Sequence, residues 1–417
     1  MMNLFADLES EVRSYCRTWP VAFDHAVGSR MYDENGRPYL DFFAGAGALN
    51  YGHNHPELKR ALLAYLERDG VTHGLDMHTT AKRDLLAALR EYVLAPRGLD
   101  YKVQFPGPTG TNAVEAALKL ARKVTGRESI ISFTHGFHGM TLGSLSVTGN
   151  AMKRGGAGIP LVHATPMPFD NYLDGQVPDF LWFERLLADS GSGLNAPAAV
   201  IVETVQGEGG INVARPEWLR SLAELCKRHD ILLIVDDVQM GCGRTGPFFS
   251  FEVAGIEPDI VCLSKSIGGY GLPLALVLLR PELDVWSPGE HNGTFRGNNP
   301  AFVTAARALE LFWTDDLLPA QTATKGEVVE SALTAIASKH AELDIAVRGR
   351  GLAWGLAFAD ADVAAKVVTG AFDRGLLIET AGADGEVAKL MPALTIGHDE
   401  LGEGLEILTD AVADAAH

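Results

Sequence analysis

Short apolar runs alternate with amphipathic helical stretches from about residue 55 onward, and this alternation restricts the chain to few folds. The helical stretches cover residues 56–69, 80–94, 113–125 and 216–229, and the β-rich runs between them include residues 129–133 and 198–203. Such an order places helices on the faces of a mostly parallel, open sheet. We therefore predict an α/β fold with a central parallel sheet.

The chain has 417 residues, more than a single ordinary core accommodates, so we expect two domains. Turn residues at 33–38 followed by an apolar run indicate an antiparallel hairpin near the N-terminus. We assign residues 1–50 to a segment that joins the smaller domain and residues 51–304 to a large ligand-binding domain. Residues 305–417 then form the smaller, C-terminal α/β domain.

The formal net charge of −18 disfavours nucleic acids and anionic membrane surfaces as partners, because phosphate binding depends on lysine and arginine. The longest apolar runs are too short to span a membrane. The first residues carry acids and no basic segment ahead of an apolar one, which argues against a secretory signal. We therefore expect a cytoplasmic protein, and the acidic balance also suits a high internal salt concentration.

The four cysteines favour neither a disulfide framework nor a zinc knuckle. They are Cys16, Cys226, Cys242 and Cys262. These positions are far apart in the sequence and form no C-x-x-C pair, so reduced thiols are the simplest interpretation.

A lysine and an aspartate, each at the end of an apolar run, carry the strongest chemical signal. Lys265 follows the run at 259–263 and precedes glycines, and Asp236 ends the run at 231–235. Alone, each is most often a surface residue or a turn former. Together they suggest pyridoxal 5′-phosphate, because a lysine amine can bond its aldehyde while a carboxylate keeps its ring nitrogen protonated.

A phosphate site is the second expectation. In an open α/β sheet, ligands lie beyond the carboxyl ends of the strands, so the loops there are the places to search. Residues 107–112 lead into a helix, with Asn112 as the expected N-cap and Glu115 three residues later. Exposed amides at such a helix start favour an anion. An ordinary cap after a turn is the alternative.

A further loop follows a predicted strand. In residues 135–140, Phe137 lies between glycines and could stack on a flat cofactor ring. Four histidines lie in two short motifs, His53 with His55 and His135 with His138. They lack metal-ligand spacing and a convergent carboxylate set, so we expect no metal.

Two glycine-rich segments receive different interpretations. Residues 203–210 end a strand and carry two acids that could face a substrate or pair with a base. Residues 241–246 satisfy G-x-G-x-x-G, but Pro247 follows where a helix should begin, so a dinucleotide site is not expected.

Read together, these segments resemble the class III aminotransferases, pyridoxal-phosphate enzymes of fold type I, in the same order and over nearly the whole chain. The resemblance implies a large domain with a mostly parallel sheet, a smaller α/β domain, and homodimers or larger homo-oligomers with shared active sites. It places Lys265 on the Schiff-base lysine, Asp236 on the pyridine-nitrogen acid, Gln239 on a ring-hydroxyl contact, Gly110 and Thr111 on the phosphate cup, Phe137 on the stacking aromatic, and Thr294 on a threonine that reaches the neighbouring subunit's phosphate.

Within this family, short strings resemble the branch that serves ectoine biosynthesis, including those at 11–17, 43–47, 105–111 and 264–271. The resemblance implies transfer of the terminal amino group between L-2,4-diaminobutyrate and 2-oxoglutarate, and hence a role in osmoadaptation. One departure concerns the substrate carboxylate. Lys389 stands where many relatives have an arginine, and an ammonium lacks the planar bidentate grip of a guanidinium.

Glu208 matches an acid that pairs with that arginine in some relatives, so we expect it to pair with Lys389 instead. Three alternatives stay open at this point. The first is an aminotransferase of the same family that acts on ornithine, acetylornithine or 4-aminobutyrate, or an aminomutase. The second is a cofactor-binding regulator without turnover. The third is a purely structural protein that binds no cofactor.

Overall fold

The computed structural model describes residues 2–174 and 180–416. The helical segments are α1 (Met2–Leu8), α2 (Tyr15–Thr18), α3 (Ala44–Gly47), α4 (Pro56–Glu67), α5 (Thr80–Ala88), α6 (Gly110–Thr125), α7 (Leu142–Ser146), α8 (Ala151–Gly155), α9 (Leu181–Ala188), α10 (Pro216–Arg228), α11 (Asn299–Phe312), α12 (Leu317–Lys339), α13 (Ala361–Asp373) and α14 (His398–Ala415). Within the described ranges, every helix is too short or too polar to cross a membrane.

The strands are β1 (Phe23–Val27), β2 (Arg30–Asp33), β3 (Pro38–Asp41), β4 (Lys102–Gln104), β5 (Ile130–Phe133), β6 (Ala164–Met167), β7 (Ala199–Val202), β8 (Val205–Gln206), β9 (Asn212–Val213), β10 (Leu232–Asp236), β11 (Ile260–Leu263), β12 (Leu276–Leu279), β13 (Ala346–Arg350), β14 (Ala353–Ala357), β15 (Leu376–Leu377), β16 (Glu379–Ala381) and β17 (Val387–Leu390).

A seven-stranded sheet forms the centre of the molecule, in the order β4-β12-β11-β10-β7-β5-β6. The strands from β11 to β6 run parallel to their neighbours, whereas β12 is antiparallel to both β11 and β4. The predicted α/β fold with a mostly parallel sheet is therefore confirmed.

Helices cover both faces of this sheet. Alternate residues of one strand point to opposite faces, so Val200 packs in one buried cluster and Ile201 in another. The second cluster includes the buried alanines and leucines of α6, while aromatic residues such as Trp218 of α10 lie in the first. Burial on both faces explains why the strands appear in the sequence as continuous apolar runs.

Two smaller sheets lie outside the central one. The predicted hairpin near the N-terminus is present as β2 and β3, which pair antiparallel. Strand β15 from the C-terminal part pairs parallel with β3, so the N-terminal segment and the C-terminal part share a sheet. The second sheet has the order β13-β14-β17-β16. The domain boundaries at residues 50 and 304 stay a prediction.

The parallel strands bring four chemically important loops to one edge of the central sheet. Strand β10 ends at Asp236, and β11 ends at Leu263, two residues before Lys265. Strand β5 precedes the loop that carries Phe137, and β7 precedes Glu203. Because the carboxyl ends of parallel strands meet at one edge, these loops converge there.

Candidate active site

The converging loops enclose a cavity of about 190 Å³. It is lined by Gly110, Thr111, Phe137, His138, Gly139, Glu203, Glu208, Asp236, Val238, Gln239 and Lys265. The structure therefore brings together seven of the nine residues that the resemblance assigned to the site: Gly110, Thr111, Phe137, Glu208, Asp236, Gln239 and Lys265. Of the other two, Lys389 lies behind Glu208 and Thr294 lies elsewhere on this chain's surface.

Lys265 is the first residue of a 3-10 turn after β11, and its backbone has a φ of 53°. Its Nζ donates a hydrogen bond of 2.8 Å to the carbonyl oxygen of Ala46. Burial lowers the pKa of Lys265, against the opposing charge of Glu208. A lowered pKa increases the fraction of neutral amine, which is the nucleophilic form.

Asp236 and His138 form a buried pair. Oδ2 of Asp236 lies 2.7 Å from Nδ1 of His138, and both side chains are almost wholly buried. Burial alone would lower the pKa of His138, but the hydrogen bond and the charge of Asp236 raise it above its ordinary value. The contact fixes the orientation of the Asp236 carboxyl group, which lines the cavity.

Sequence reasoning considered His138 only as a metal ligand and missed this contact. The pattern at 135–140 indicated a functional loop, but the partner of His138 lies 98 residues away. Glu203 lies beside this pair, and its Oε2 accepts a hydrogen bond of 2.9 Å from the backbone amide of Phe137. Burial raises the pKa of Glu203 to about 7, although the charge of His138 opposes the shift.

The start of α6 forms the candidate anion site. Thr109 is the N-cap and Gly110 the first helical residue, so the prediction that Asn112 caps this helix is wrong. The Asn112 side chain instead reaches back and accepts a hydrogen bond of 3.3 Å from the Thr109 amide. A Cβ at Gly110 would approach a methyl carbon of Val238 to 2.9 Å, so only glycine leaves this space open.

Hydroxyl groups surround the same helix start. Oγ1 of Thr111 lies 2.6 Å from Oγ1 of Thr141 and 3.0 Å from Oγ of Ser144. Oε1 of Glu115 accepts hydrogen bonds from the Thr141 hydroxyl at 2.6 Å and from the Ser144 amide at 3.1 Å. Glu115 thus orients donors around Thr111, and these add to the free amides of the first helical turn.

Phe137 and Gln239 line other walls of the cavity. Nζ of Lys153 lies 4.3 Å from the centroid of the Phe137 ring, a distance suited to a cation–π contact. The side-chain nitrogen of Gln239 donates hydrogen bonds to the Ala46 carbonyl at 3.0 Å and to Oε1 of Glu208 at 3.1 Å.

Lys389 lies between two carboxylates. Its Nζ is 2.6 Å from Oε1 of Glu208 and 2.9 Å from Oε1 of Glu379. Burial alone would raise the pKa of Glu208, but the charges of Lys389 and Lys265 lower it to about 2. The expected contact between Glu208 and Lys389 is thus present. The third member, Glu379, has no motif around it that would reveal it from the sequence.

Thr294 begins a 3-10 turn, Thr294–Gly297, and is exposed. It does not line the cavity of its own chain. An exposed position is what the resemblance implies for a residue that acts at the neighbouring subunit's site.

The cavity fits pyridoxal 5′-phosphate by the chemistry of its lining. The helix start at Gly110 provides an anion site that a Cβ would fill. Asp236, supported by His138, can accept a hydrogen bond from a protonated ring nitrogen, and Phe137 offers a flat face. Lys265 supplies an amine of lowered pKa for the aldehyde.

Comparisons with known proteins agree with this geometry. A family model described as Aminotransferase class-III matches residues 13–412. A protein of Streptomyces avermitilis named diaminobutyrate--2-oxoglutarate transaminase is 69 % identical over 416 residues, covering 100 % of this chain and 98 % of its own. A protein of the same name from Halalkalibacterium halodurans is 58 % identical, with 99 % and 96 % covered.

Two solved structures have the same fold and similar sequences. The ornithine aminotransferase of Toxoplasma gondii ME49 superposes with a TM-score of 0.85 at 26 % identity, covering 99 % of this chain and 94 % of that one. The acetylornithine aminotransferase of Elizabethkingia anophelis gives a TM-score of 0.80 at 26 % identity, with 99 % and 98 % covered.

Proposed function

The chain belongs to the class III aminotransferases, which depend on pyridoxal 5′-phosphate, and from this premise we propose its substrates and site residues. The enzyme transfers the terminal amino group between L-2,4-diaminobutyrate and 2-oxoglutarate, with L-aspartate 4-semialdehyde and L-glutamate as the other pair. In the ectoine direction, glutamate is the amino donor. The proposal is supported by the printed names of relatives that are 58 % to 69 % identical over nearly the whole chain.

Lys265 carries the covalent and proton-transfer roles in this proposal. The bound cofactor supplies an aldehyde that takes up the amino group and a ring that stores electrons from the reacting carbon. Once the substrate amine has replaced it at the aldehyde carbon, the Nζ of Lys265 would take a proton from the substrate carbon that bears this amine. It would then deliver that proton to the former aldehyde carbon of the cofactor. Its lowered pKa and its position in the cavity wall support both roles.

Asp236 keeps the ring nitrogen protonated, and His138 holds the Asp236 carboxyl group in the orientation that this contact needs. The 2.7 Å contact between their side chains supports this division of roles. Gly110 and Thr111 bind the phosphate through the start of α6, Phe137 stacks on the ring, and the Gln239 amide contacts the ring hydroxyl. All of these residues line one cavity.

Substrate recognition rests on Glu208 and Lys389. Glu208 lines the cavity, and the charges of Lys389 and Lys265 lower its pKa to about 2, so we expect it to attract the second ammonium group of a diamino acid. Lys389 is 1 % exposed and paired with two acids, so a substrate carboxylate reaches it only if Glu208 moves aside. We propose that 2-oxoglutarate and glutamate use Lys389 in this way.

The proposed working unit is a homodimer in the cytoplasm that serves osmoadaptation. Thr294 of each chain reaches the phosphate bound by the other, so that each site needs two chains. The exposure of Thr294 outside its own cavity supports this arrangement. The acidic net charge of −18 agrees with work at high internal salt.

The observation that carries the proposal is one cavity that is lined by Lys265, Asp236 and Glu208, with Lys389 paired to Glu208. The test mixes the holoenzyme with a panel of amines: L-2,4-diaminobutyrate, L-ornithine, N-acetylornithine and 4-aminobutyrate. The loss of the cofactor's visible band and the formation of glutamate after addition of 2-oxoglutarate are followed. Diaminobutyrate should react with the highest kcat/KM.

Two results would contradict this assignment. A higher kcat/KM for ornithine or acetylornithine would mean that the enzyme shares the specificity of the ornithine and acetylornithine aminotransferases and not that of the diaminobutyrate transaminases. Turnover without an added 2-oxo acid would indicate an aminomutase. As a control, Lys265→Ala should bind the cofactor without a covalent bond and show negligible turnover; near-normal rates would refute the role of Lys265.

A further inference from the structure

Segment α3 is a left-handed turn rather than an ordinary helical one. Its four residues have positive φ angles, 47° at Ala44, 59° at Gly45, 55° at Ala46 and 81° at Gly47. Glycine adopts this region readily, but alanine does so at a cost because its Cβ crowds the backbone. The two alanines alternate with the two glycines. Their strained conformation persists only where the surroundings enforce it, and such strain clusters at functional sites.

Side chains from elsewhere fasten both ends of this turn. Oδ1 of Asp41 accepts hydrogen bonds of 2.8 Å from the amides of Phe43 and Ala44. The other carboxylate oxygen of Asp41 lies 2.7 Å from Nε2 of His53. At the far end, the Ser266 hydroxyl donates a 2.8 Å hydrogen bond to the Gly47 carbonyl. The enforced conformation therefore has identified causes.

The turn directs one carbonyl group at the active-site lysine. The Ala46 carbonyl oxygen accepts hydrogen bonds from Nζ of Lys265 at 2.8 Å and from the Gln239 amide at 3.0 Å. The turn also lies tightly against Gln239, because a Cβ at Gly47 would approach its Cγ to 3.3 Å. Ser266, which fastens the turn, is the residue directly after the lysine.

We propose that the left-handed turn Ala44–Gly47 is a positioning element for Lys265, whose free amine it holds through the Ala46 carbonyl until that amine attaches to the cofactor. In the attachment step, the lysine nitrogen bonds to the aldehyde carbon, and its two protons leave with the aldehyde oxygen as water. A carbonyl that holds one N–H fixes the direction of the nitrogen lone pair. The inference rests on the proposed function only in taking Lys265 as the point of attachment.

The charges around Lys265 agree with this role. Glu208, Glu379 and Asp236 favour its protonated form, while Lys389 and burial favour the neutral one, and burial has the largest effect. In its neutral form, the Lys265 amine has no ion pair to orient it. The hydrogen bond to the Ala46 carbonyl then determines where the nitrogen lone pair points.

The test compares attachment with simple binding in the full-length protein after removal and return of the cofactor. Attachment is followed as the rise of the visible band on adding pyridoxal 5′-phosphate. Binding alone is measured with pyridoxine 5′-phosphate, an alcohol that cannot bond to lysine. In Ser266→Ala, the turn loses its fastening, and attachment should slow by about tenfold, as expected for one lost buried hydrogen bond, while the affinity for the alcohol is unchanged.

A second pair of variants tests the turn without touching its fastenings. Ala46→Val places a β-branched residue in a left-handed conformation that it strongly disfavours, so attachment should again slow. The matched control is Asp344→Val, which places the same β-branched residue in a left-handed conformation (φ 46°) at an exposed position outside the cavity, and it should attach the cofactor at the wild-type rate. The pH titration of the holoenzyme's visible spectrum should shift in Ala46→Val and not in Asp344→Val.

Three results would overturn the inference: wild-type attachment rates in both Ser266→Ala and Ala46→Val, equally slowed attachment in Asp344→Val, or a parallel loss of affinity for the alcohol, which would mean that the turn only shapes the cavity. A separate failure is distinguishable. If Lys265→Met still attached the cofactor covalently, the proposed role of Lys265 would be wrong, whatever the turn variants showed.

Discussion

At the scale of single residues, the site depends on partners that compensate for burial. Asp236 and Lys389 are both almost fully removed from water, and each is held by side-chain partners that form hydrogen bonds or ion pairs with it. The partners are His138 for Asp236, and Glu208 with Glu379 for Lys389. Removing such a partner leaves an uncompensated buried group, so its effect should exceed that of a surface substitution.

Replacing His138 by phenylalanine should therefore lower the rate of the half-reaction with glutamate by about tenfold, as expected for a lost hydrogen bond to a charged group. Without His138, the Asp236 carboxyl group loses the hydrogen bond that orients it, so its contact with the ring nitrogen weakens. Stopped-flow absorbance measures this rate. His25→Phe, at an exposed histidine on β1, is the control, and equal rates in both variants would contradict the role of His138.

The buried side chain of Asp237 should make the free energy of unfolding depend on pH. It is 1 % exposed, its Oδ2 accepts a 3.0 Å hydrogen bond from the Ser250 amide, and its Oδ1 has no hydrogen-bond partner among the described residues. Burial raises the pKa of Asp237 to about 7. In the folded protein, Asp237 therefore keeps a proton that the unfolded chain releases. The stability that this proton contributes is present at low pH and is lost as the pH rises toward 7.

Asp237→Asn carries a neutral amide at every pH, so it should gain about 2 kcal/mol relative to the wild type between pH 5 and pH 8. Urea unfolding of the holoenzyme at the two pH values measures the difference. Asp384→Asn, at an exposed position, should show no such gain. A constant difference between wild type and Asp237→Asn across this range would contradict the prediction.

At the scale of elements, the loops after the parallel strands were predictable and the details of their ends were not. The strand patterns located Lys265, Asp236 and Phe137, because buried strands leave continuous apolar runs and their following loops share an edge. The start of α6 was misplaced, since Thr109 and Asn112 are both good capping residues and only the contact between them decides.

Other features are tertiary and leave no local pattern. The pair of His138 with Asp236 and the pair of Lys389 with Glu379 each join distant positions. The left-handed turn at 44–47 is likewise hidden, because two of its residues are alanines, which ordinarily favour right-handed helices. Contacts from Asp41 and Ser266, not local preference, fix it.

The phosphate site makes a prediction at this scale. Gly110→Ala should weaken the affinity for pyridoxine 5′-phosphate by at least about tenfold, because the added methyl group meets Val238 and distorts the first turn of α6. Equilibrium dialysis measures the affinity. The matched control is Gly402→Ala in α14, where nothing lies within 4 Å of the new Cβ, and its affinity should be unchanged. Equal affinities in both would show that Gly110 does not border the phosphate.

At the scale of the whole molecule, both ends of the chain support residues of the cavity wall. The Ala46 carbonyl, in the N-terminal segment, accepts a hydrogen bond from Gln239, and Lys389 of β17 pairs with Glu208. The wall that the resemblance assigns to Thr294 is missing from this chain's own cavity. The complete site in our proposal therefore belongs to an assembly of two chains.

Mixing two variants of the chain, each impaired in a different residue, tests this assembly. Lys265→Ala lacks the amine, and Thr294→Ala should bind the cofactor weakly because its phosphate loses a hydrogen bond. When the two proteins exchange subunits, one site of each mixed dimer has an intact Lys265 and an intact Thr294. Activity at limiting cofactor should then exceed the sum of the separate proteins. Activity equal to that sum, with subunit exchange shown by native mass spectrometry, would refute the shared site.

Arg244 has a consequence for how substrates enter. Its side chain is wholly buried, and it donates hydrogen bonds to the carbonyl groups of Leu352 and Pro392 and to Oδ1 of Asn50. This guanidinium thus joins three separate stretches of the chain. Moving these stretches apart would leave a buried charge without its hydrogen-bond partners, so we expect them to stay together while substrates enter and leave the cavity.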